Sequence, residues 1–283
     1  MTVIRADVLG YCMGVRRAVD LAERAVAAGG TVLSLGPLIH NAVALMELEQ
    51  RGLSVVPADA LAAVPRNSTV VIRAHGVPPA VPQALSERSC TVVDATCPFV
   101  MRSQKIAVRF SEDGWTVILA GQKNHGEVIG IAGYAGERFI LVQNRAEAAL
   151  LPPGGDGERA VLLAQSTFPA EEFRGIADVV KKKYAVLRVI DTLCAATYDR
   201  QESLKRLCPL VDGVLVIGGK LSANTAQLFA TAQLCCRYAA LIETAAEIPP
   251  VFFSLETVGL SAGASTPDSV IDAVERRLQS TVA

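Results

Sequence analysis

The chain has 283 residues, a length typical of two or three domains or of one large domain. Apolar residues make up 51% of it, charged residues 19%, and the net charge is −1. This composition supplies a sizeable core, excludes a disordered or collagen-like chain, and argues against a nucleic-acid-binding protein, which normally carries a basic excess. We expect no membrane span and see no secretory signal, so the predicted location is the cytoplasm.

Three copies of one pattern follow each other along the chain, and each copy is anchored on a cysteine. A short β-branched run leads into Cys12, Cys97 or Cys194, and an amphipathic helical pattern follows. A second apolar run starts 19 residues after each cysteine, and a third run closes each copy. The second runs are TVLSLG, TVILAG and GVLVIGG, and the third runs are TVVIRAHG, AVLLAQSTF and TVGLSAGAS.

Short apolar runs that alternate with helical patterns indicate an α/β fold with mainly parallel sheets. We therefore predict three related α/β modules, at residues 1–96, 97–193 and 194–283, packed around a pseudo-threefold axis. Ligands of such sheets bind at the carboxyl ends of the strands. Polar side chains follow the predicted strands at this end, namely His40, His75, His125, Ser166, Ser222, Asn224 and Ser265. The axis would bring these residues and the repeated cysteines to one place.

Cysteine usage favours a metal centre over a disulfide framework. The chain has seven cysteines, an odd number, and no CxxC pair. Zinc bound by three cysteines would need a fourth ligand or a water. A 4Fe–4S cluster normally takes four thiolates, and with three it keeps one iron open to act as a Lewis acid. We favour the cluster, with zinc as the alternative, and interpret the four remaining cysteines as structural.

Several segments together resemble the 4-hydroxy-3-methylbut-2-enyl diphosphate reductases, the LytB/IspH family of the non-mevalonate isoprenoid pathway. They are GYCMGVRRAV, GPLIHNAV, RAHGVPP, DATCPFV, HGEV, DTLCAAT and SAGASTPD. The resemblance runs from about Leu9 to Leu278. It implies three α/β domains around a central iron–sulfur cluster. It also implies reductive removal of an allylic hydroxyl to give isopentenyl and dimethylallyl diphosphate, with electrons from an external donor such as ferredoxin or flavodoxin.

Carried over position by position, the resemblance assigns roles to individual residues. It implies that Cys12, Cys97 and Cys194 ligate a 4Fe–4S cluster, and that His40, His75, Ser222, Asn224 and Ser265 bind the substrate diphosphate. His125 and Glu127 correspond to the residues that handle the substrate hydroxyl and its protonation, and Ser166 stands where the family usually has threonine. Histidine, serine and asparagine donors suit a diphosphate in a chain with little net charge. A carboxyl group beside an imidazole suits proton delivery.

The chain departs from the usual family pattern at several of these positions. Gly126 replaces a proline, Ser166 replaces a threonine, and Ala223 removes a hydroxyl from the expected phosphate-binding group. Two interpretations of these changes stay open: a divergent member with the usual reaction, which we favour, and a paralogue that takes another allylic or diphosphate substrate. A third candidate from another class is a non-catalytic iron–sulfur redox module, which would need the cysteines but not Glu127.

Overall fold

The computed structural model describes residues 1–155 and 157–280. Twelve β-strands lie within these ranges, and six of them coincide with the second and third apolar runs of the three copies. The strands are β1 (Thr2–Arg5), β2 (Val32–Leu35), β3 (Leu53–Val56), β4 (Thr69–Ile72), β5 (Thr91–Asp94), β6 (Thr116–Ala120), β7 (Phe139–Val142), β8 (Arg159–Ala164), β9 (Val186–Val189), β10 (Gly213–Ile217), β11 (Tyr238–Ile242) and β12 (Thr257–Ala262).

Ten α-helices alternate with the strands in the same described ranges. Three of them begin at the residue after a repeated cysteine, as the helical patterns predict. The helices are α1 (Met13–Ala27), α2 (Ala42–Gln50), α3 (Ala80–Glu87), α4 (Pro98–Glu112), α5 (Gly126–Ala135), α6 (Arg145–Leu150), α7 (Ala170–Val180), α8 (Ala195–Leu207), α9 (Ala223–Cys235) and α10 (Asp268–Gln279). None of these helices is long and apolar enough to cross a bilayer.

The strands form three parallel four-stranded sheets. Their orders are β3-β2-β4-β5, β7-β6-β8-β9 and β11-β10-β12-β1. Each sheet therefore has the same arrangement, with the second and third apolar runs of a repeat as its two central strands. The predicted α/β class with parallel sheets is confirmed.

Each repeated cysteine follows the edge strand of a sheet. Strand β5, in the sheet of β2 and β4, leads to Cys97, and β9, in the sheet of β6 and β8, leads to Cys194. Each of these cysteines therefore joins the edge strand of one sheet to the first helix of the next copy. Strand β1, which leads to Cys12, pairs with β12 near the C-terminus. The first and last parts of the chain thus share one sheet. The module boundaries and their packing around an axis stay a prediction, and residues 281–283 lie outside the described residues.

Contacts divide the chain into two compact units. One contains Met1–Glu23, Pro37–Leu53 and the chain from Ala195 on, and its core packs β10, β11 and β12 against α10. The other contains Arg24–Gly36 and Ser54–Cys194, and its largest core surrounds β6 and β8. All five residues of β6 and of β10 are buried, as expected for central strands covered by helices on both faces. These rigid sheets hold the loops at their carboxyl ends, where the candidate site residues lie.

Candidate active site

The three repeated cysteines occupy equivalent local positions. Each backbone N–H donates a hydrogen bond to a carbonyl just beyond the end of the neighbouring central strand. The pairs are Cys12 to Ala264 at 3.0 Å, Cys97 to Ala74 at 2.9 Å and Cys194 to Ser166 at 2.8 Å. All three cysteines are half-buried thiols that immediately precede the first turn of a helix. The sequence repeat is therefore also a repeat of backbone geometry.

A helix N-terminus is a favourable place for a sulfur that carries negative charge. The unpaired N–H groups of the first turn point toward it, and the helix dipole adds to their effect. In α1 this interaction is direct, because the N–H of Val15 donates to Cys12 Sγ at 3.5 Å. Thiolate sulfur is the form that binds iron. The local geometry thus suits these cysteines as metal ligands.

Glu127 is the best-defined acid of the site. It lies in the first turn of α5, its side chain is only 1% exposed, and both carboxylate oxygens accept hydrogen bonds from Ser166. The Ser166 N–H reaches Oε1 at 2.7 Å and the Ser166 hydroxyl reaches Oε2 at 2.7 Å. Burial raises the pKa of Glu127 to about 7, and the two bonds from Ser166 oppose this rise. A carboxyl group with this pKa can hold and release a proton near neutral pH.

Two histidines lie beside this carboxyl in the same unit. His125 caps the N-terminus of α5, where its Nδ1 accepts a hydrogen bond from the Glu127 N–H at 3.2 Å. A neutral His125 therefore carries its proton on Nε2. The ring of His75 meets that of His125 edge to face, with 5.1 Å between centroids. The structure thus brings His75, His125, Glu127 and Ser166 together through direct contacts.

A glycine and an arginine complete this part of the site. Gly126, the first residue of α5, lies against the half-buried guanidinium of Arg73. A Cβ at position 126 would lie 3.0 Å from both Cζ and Nη2 of Arg73, so the missing side chain is what makes room for the cation. Burial lowers the pKa of Arg73. The glycine that departs from the family pattern thus has a local packing reason.

The other unit presents polar groups at the N-terminus of α9. Ser222 caps this helix, and its hydroxyl accepts a hydrogen bond from the Thr225 N–H at 3.3 Å. Asn224 is 4% exposed, yet neither its amide oxygen nor its amide nitrogen has a hydrogen-bond partner among the described residues. A buried amide without partners costs about 1–3 kcal/mol. The amide of Asn224 is therefore available to a ligand or to a water at this helix end.

His40 and Ser265 lie together in this unit. The Ser265 hydroxyl donates to the His40 carbonyl oxygen at 3.0 Å. Gly219 packs on the same carbonyl, since a Cβ there would come within 2.4 Å of it. The hydroxyl of Ser265 thereby orients the backbone at His40, directly before the cap residue Asn41 of α2.

Gln165, a buried residue that supports the part of the site around Glu127, was not identified from the sequence. Gln165 is 1% exposed, and its Oε1 accepts a hydrogen bond from the Gln122 N–H at 2.8 Å. Its Nε2 donates to Thr167 Oγ1 at 2.9 Å. Gln165 therefore fixes the loop between β6 and α5, which carries His125 and Glu127. The sequence feature that could have identified Gln165 is its position as a polar residue directly after the apolar run of β8.

The remaining cysteines lie away from the three repeated positions. Cys208 is buried in an apolar cluster beneath β10, and Cys236 packs against the same cluster. Cys235, at the end of α9, is exposed, and Cys90 is half-buried beside β5. The seven cysteines all lie in the described residues, and none forms a disulfide.

Comparison with known proteins identifies close relatives over nearly the whole chain. The family model described as LytB protein matches residues 3–279. The chain is 47% identical to the 4-hydroxy-3-methylbut-2-enyl diphosphate reductase of Treponema denticola, over 98% of this chain and 99% of that protein. It is 38% identical to the Aquifex aeolicus protein of the same name, over 98% and 96% of the two chains.

Two solved structures are similar to the fold. One is described as (E)-4-hydroxy-3-methyl-but-2-enyl diphosphate reductase, the terminal enzyme of the non-mevalonate pathway. It is 37% identical and covers 99% of this chain and 100% of its own, with a TM-score of 0.75. The other is the E-1-hydroxy-2-methyl-but-2-enyl-4-diphosphate reductase of Plasmodium falciparum. It is 25% identical and covers 99% of this chain and 86% of its own, with a TM-score of 0.88.

Proposed function

Because the chain belongs to the LytB protein family, we propose that it is a 4-hydroxy-3-methylbut-2-enyl diphosphate reductase. The reaction replaces the allylic C–OH bond with C–H, and consumes two electrons and two protons. One proton leaves with the hydroxyl as water, and the other ends on carbon to give isopentenyl or dimethylallyl diphosphate. The observation that carries the proposal is the buried Glu127, which Ser166 holds through both oxygens and whose pKa of about 7 suits proton delivery.

We assign Cys12, Cys97 and Cys194 as ligands of a 4Fe–4S cluster. The residues fit such a group because each is a half-buried thiol at a helix N-terminus with the same backbone hydrogen bond. When bound, a cluster with three protein thiolates supplies electrons and one iron with an open coordination position. The thiols also support a cytoplasmic location, where cysteines stay reduced. An external carrier such as ferredoxin or flavodoxin would supply the electrons.

Glu127 and His125 are the proposed proton-handling groups. Protonated Glu127 holds its proton in an apolar environment, where loss of that proton leaves a poorly solvated charge. Ser166 stabilises that charge when the proton leaves, since it donates to both carboxylate oxygens. In this proposal the Nε2–H of neutral His125 would donate to the substrate hydroxyl. His75 packs against the His125 ring and limits its rotation.

Binding of the diphosphate is assigned to neutral donors. Ser222 and Asn224 lie at the N-terminus of α9, where backbone N–H groups and the helix dipole favour an anion. The amide of Asn224, which has no described partner, can donate to a phosphate oxygen. His40, His75 and Ser265 complete the proposed phosphate-binding set, and His125 and Ser166 are further proposed substrate contacts.

Anaerobic turnover with 4-hydroxy-3-methylbut-2-enyl diphosphate and dithionite tests the proposal. The reconstituted protein should contain about four irons per chain and release both products. Separate replacements of Cys12, Cys97 and Cys194 with serine should lose or damage the cluster, since a hydroxyl is a far poorer iron ligand than a thiolate. Cys235→Ser, at an exposed cysteine, is the matched control and should keep the iron content.

The outcomes separate the open interpretations. A protein that cannot be loaded with iron would end the assignment. A loaded protein that does not turn over this substrate, but whose cluster spectrum changes with another allylic diphosphate, would indicate a paralogue. A cluster indifferent to every diphosphate would indicate a redox module without catalysis. The buried Glu127–Ser166 pair argues against the redox module, because electron transfer alone does not require a proton donor.

A further inference from the structure

A row of basic side chains lies on the surface of α4, close to Cys97. Arg102, Lys105 and Arg109 recur at spacings of three and four residues, so they share one helix face, and all three are exposed. Together with Pro98, Met101 and Ile106 they line a surface groove of about 490 Å³. The groove thus has an apolar part and three cations.

Nearby acids balance the charge of the three cations in this groove only in part, and none of the described acids is in ion-pair contact with them. Within residues 1–155 and 157–280, none of the three cations forms an ion pair with an acidic side chain. No described acid lines this groove, but Lys105 and Arg109 also line a neighbouring groove of about 370 Å³. Asp94 and Glu112 line that second groove, and Arg102 does not. The chain as a whole carries a net charge of −1, so this is a local concentration of cations and not part of a generally basic surface.

We propose that this groove, which we call the α4 groove, is the docking surface for the electron donor, a small acidic one-electron carrier protein. The proposal rests on the proposed function. Helix α4 begins directly after Cys97, a proposed cluster ligand, and at 1.5 Å per residue Lys105 lies roughly 12 Å further along the helix. A carrier seated in the groove would therefore be close to the cluster.

The composition of the α4 groove suits a transient electron-transfer contact. Such interfaces are small, and charge complementarity raises their association rate more than their final affinity. Met101 and Ile106 are half-buried and supply a modest apolar contact, while the cations orient an acidic partner. A short-lived complex is what repeated one-electron delivery requires.

A run of three lysines, Lys181 to Lys183, is a poorer candidate. It follows α7, which does not begin at a proposed ligand. The ammonium group of Lys183 is also engaged, since it donates to the Leu151 carbonyl oxygen at 2.5 Å. Lys181 and Lys182 are exposed and therefore supply a matched control for changes in net charge.

The test compares two double variants of the reconstituted protein, Arg102→Glu/Lys105→Glu and Lys181→Glu/Lys182→Glu, which change the net charge equally. Two measurements are made on each. The first is binding of an acidic ferredoxin by calorimetry at low and high salt. The second is turnover with reduced ferredoxin or, separately, with dithionite. We expect the α4 variant to lose roughly tenfold or more in ferredoxin affinity and in ferredoxin-supported kcat/KM, together with most of their salt dependence. Dithionite turnover should be unchanged in both variants.

Equal ferredoxin binding by the α4 variant and the unaltered protein would overturn the docking surface, as would equal losses in the two double variants. The failure of the proposed function looks different. In that case the unaltered protein shows no turnover with dithionite, and the calorimetric comparison still decides whether the α4 groove binds the carrier.

Discussion

Glu127→Gln tests the proposed proton donor through stability as well as through activity. In the folded chain the pKa of Glu127 is about 7, against an ordinary value of 4.5, because the carboxyl is buried. Between these values the folded state binds a proton that the unfolded state releases. Stability from this proton is therefore present at low pH and is lost as the pH rises through about 7. Linkage gives a loss of about 2–3 kcal/mol between pH 5 and pH 8.

Glutamine fits the same place without the charge. Its carbonyl oxygen can accept from the Ser166 N–H, and its amide can donate to the Ser166 hydroxyl, so both contacts survive. We therefore expect Glu127→Gln to lack this pH-dependent component, and to gain stability over the unaltered protein as the pH rises from 5 to 8. Urea unfolding of the two proteins at both pH values measures this, and other titrating groups cancel in the comparison. Glu171→Gln, at an exposed acid of α7, is the control and should show no such gain.

The same variant should keep its cluster and bind the substrate, but turn over about 10²–10⁴-fold more slowly, the range typical of a general acid or base. Two results would refute the reasoning. An unchanged pH dependence of stability would mean that Glu127 is already ionised in the folded protein at pH 5. Near-normal turnover would mean that the proton comes from another group.

Three further substitutions test the neighbouring contacts. Ser166→Ala removes the hydroxyl that stabilises ionised Glu127, so its pKa should rise and the pH–rate profile should move upward, whereas Ser166→Thr should restore the profile. Asn224→Ala should raise the KM for the diphosphate substrate roughly tenfold or more, with little change in kcat or thermal stability. The reason is that the amide makes no hydrogen bond to a described residue. A lowered melting temperature with unchanged KM would contradict this prediction. Gly126→Ala should destabilise the protein by about 1 kcal/mol, because the new Cβ would contact the Arg73 guanidinium. In a double-mutant cycle, the same substitution made in the Arg73→Ala background should cost much less stability.

Much of the fold was accessible from the sequence because the pattern repeats. Three copies of one spacing identify the central strands β2, β6 and β10, and all of them form where the second apolar runs predict. The position of β1 was not accessible in this way. Thr2–Arg5 is a short edge strand whose partner, β12, lies more than 250 residues away, and no local pattern reports such a pairing.

The candidate site also has features that can be predicted from the sequence and features that cannot. Chemistry carried by residue type, such as the thiols and the Glu127–His125 pair, can be read from the sequence. Contacts that depend on packing cannot. The double hydrogen bond from Ser166 to Glu127 joins residues 39 positions apart, and the raised pKa of Glu127 comes from apolar surroundings that several strands supply together. The hydrogen bond from the Gln122 N–H to Gln165 likewise depends on the pairing of β6 with β8, so it can be recognised only in the folded structure.

The structure also bears on three of the departures from the family pattern, those at Gly126, Ser166 and Ala223. At position 126 the absent side chain is matched by the Arg73 guanidinium, so the start of α5 is packed and not loosened. At position 166 serine makes both hydrogen bonds to the buried carboxyl, for which the methyl group of threonine is not needed. At position 223 alanine removes a hydroxyl, yet the buried amide of Asn224 beside it keeps its donors available. Since each departure leaves the polar groups of the proposed reaction in place, these substitutions favour the usual substrate over a paralogue with a different one.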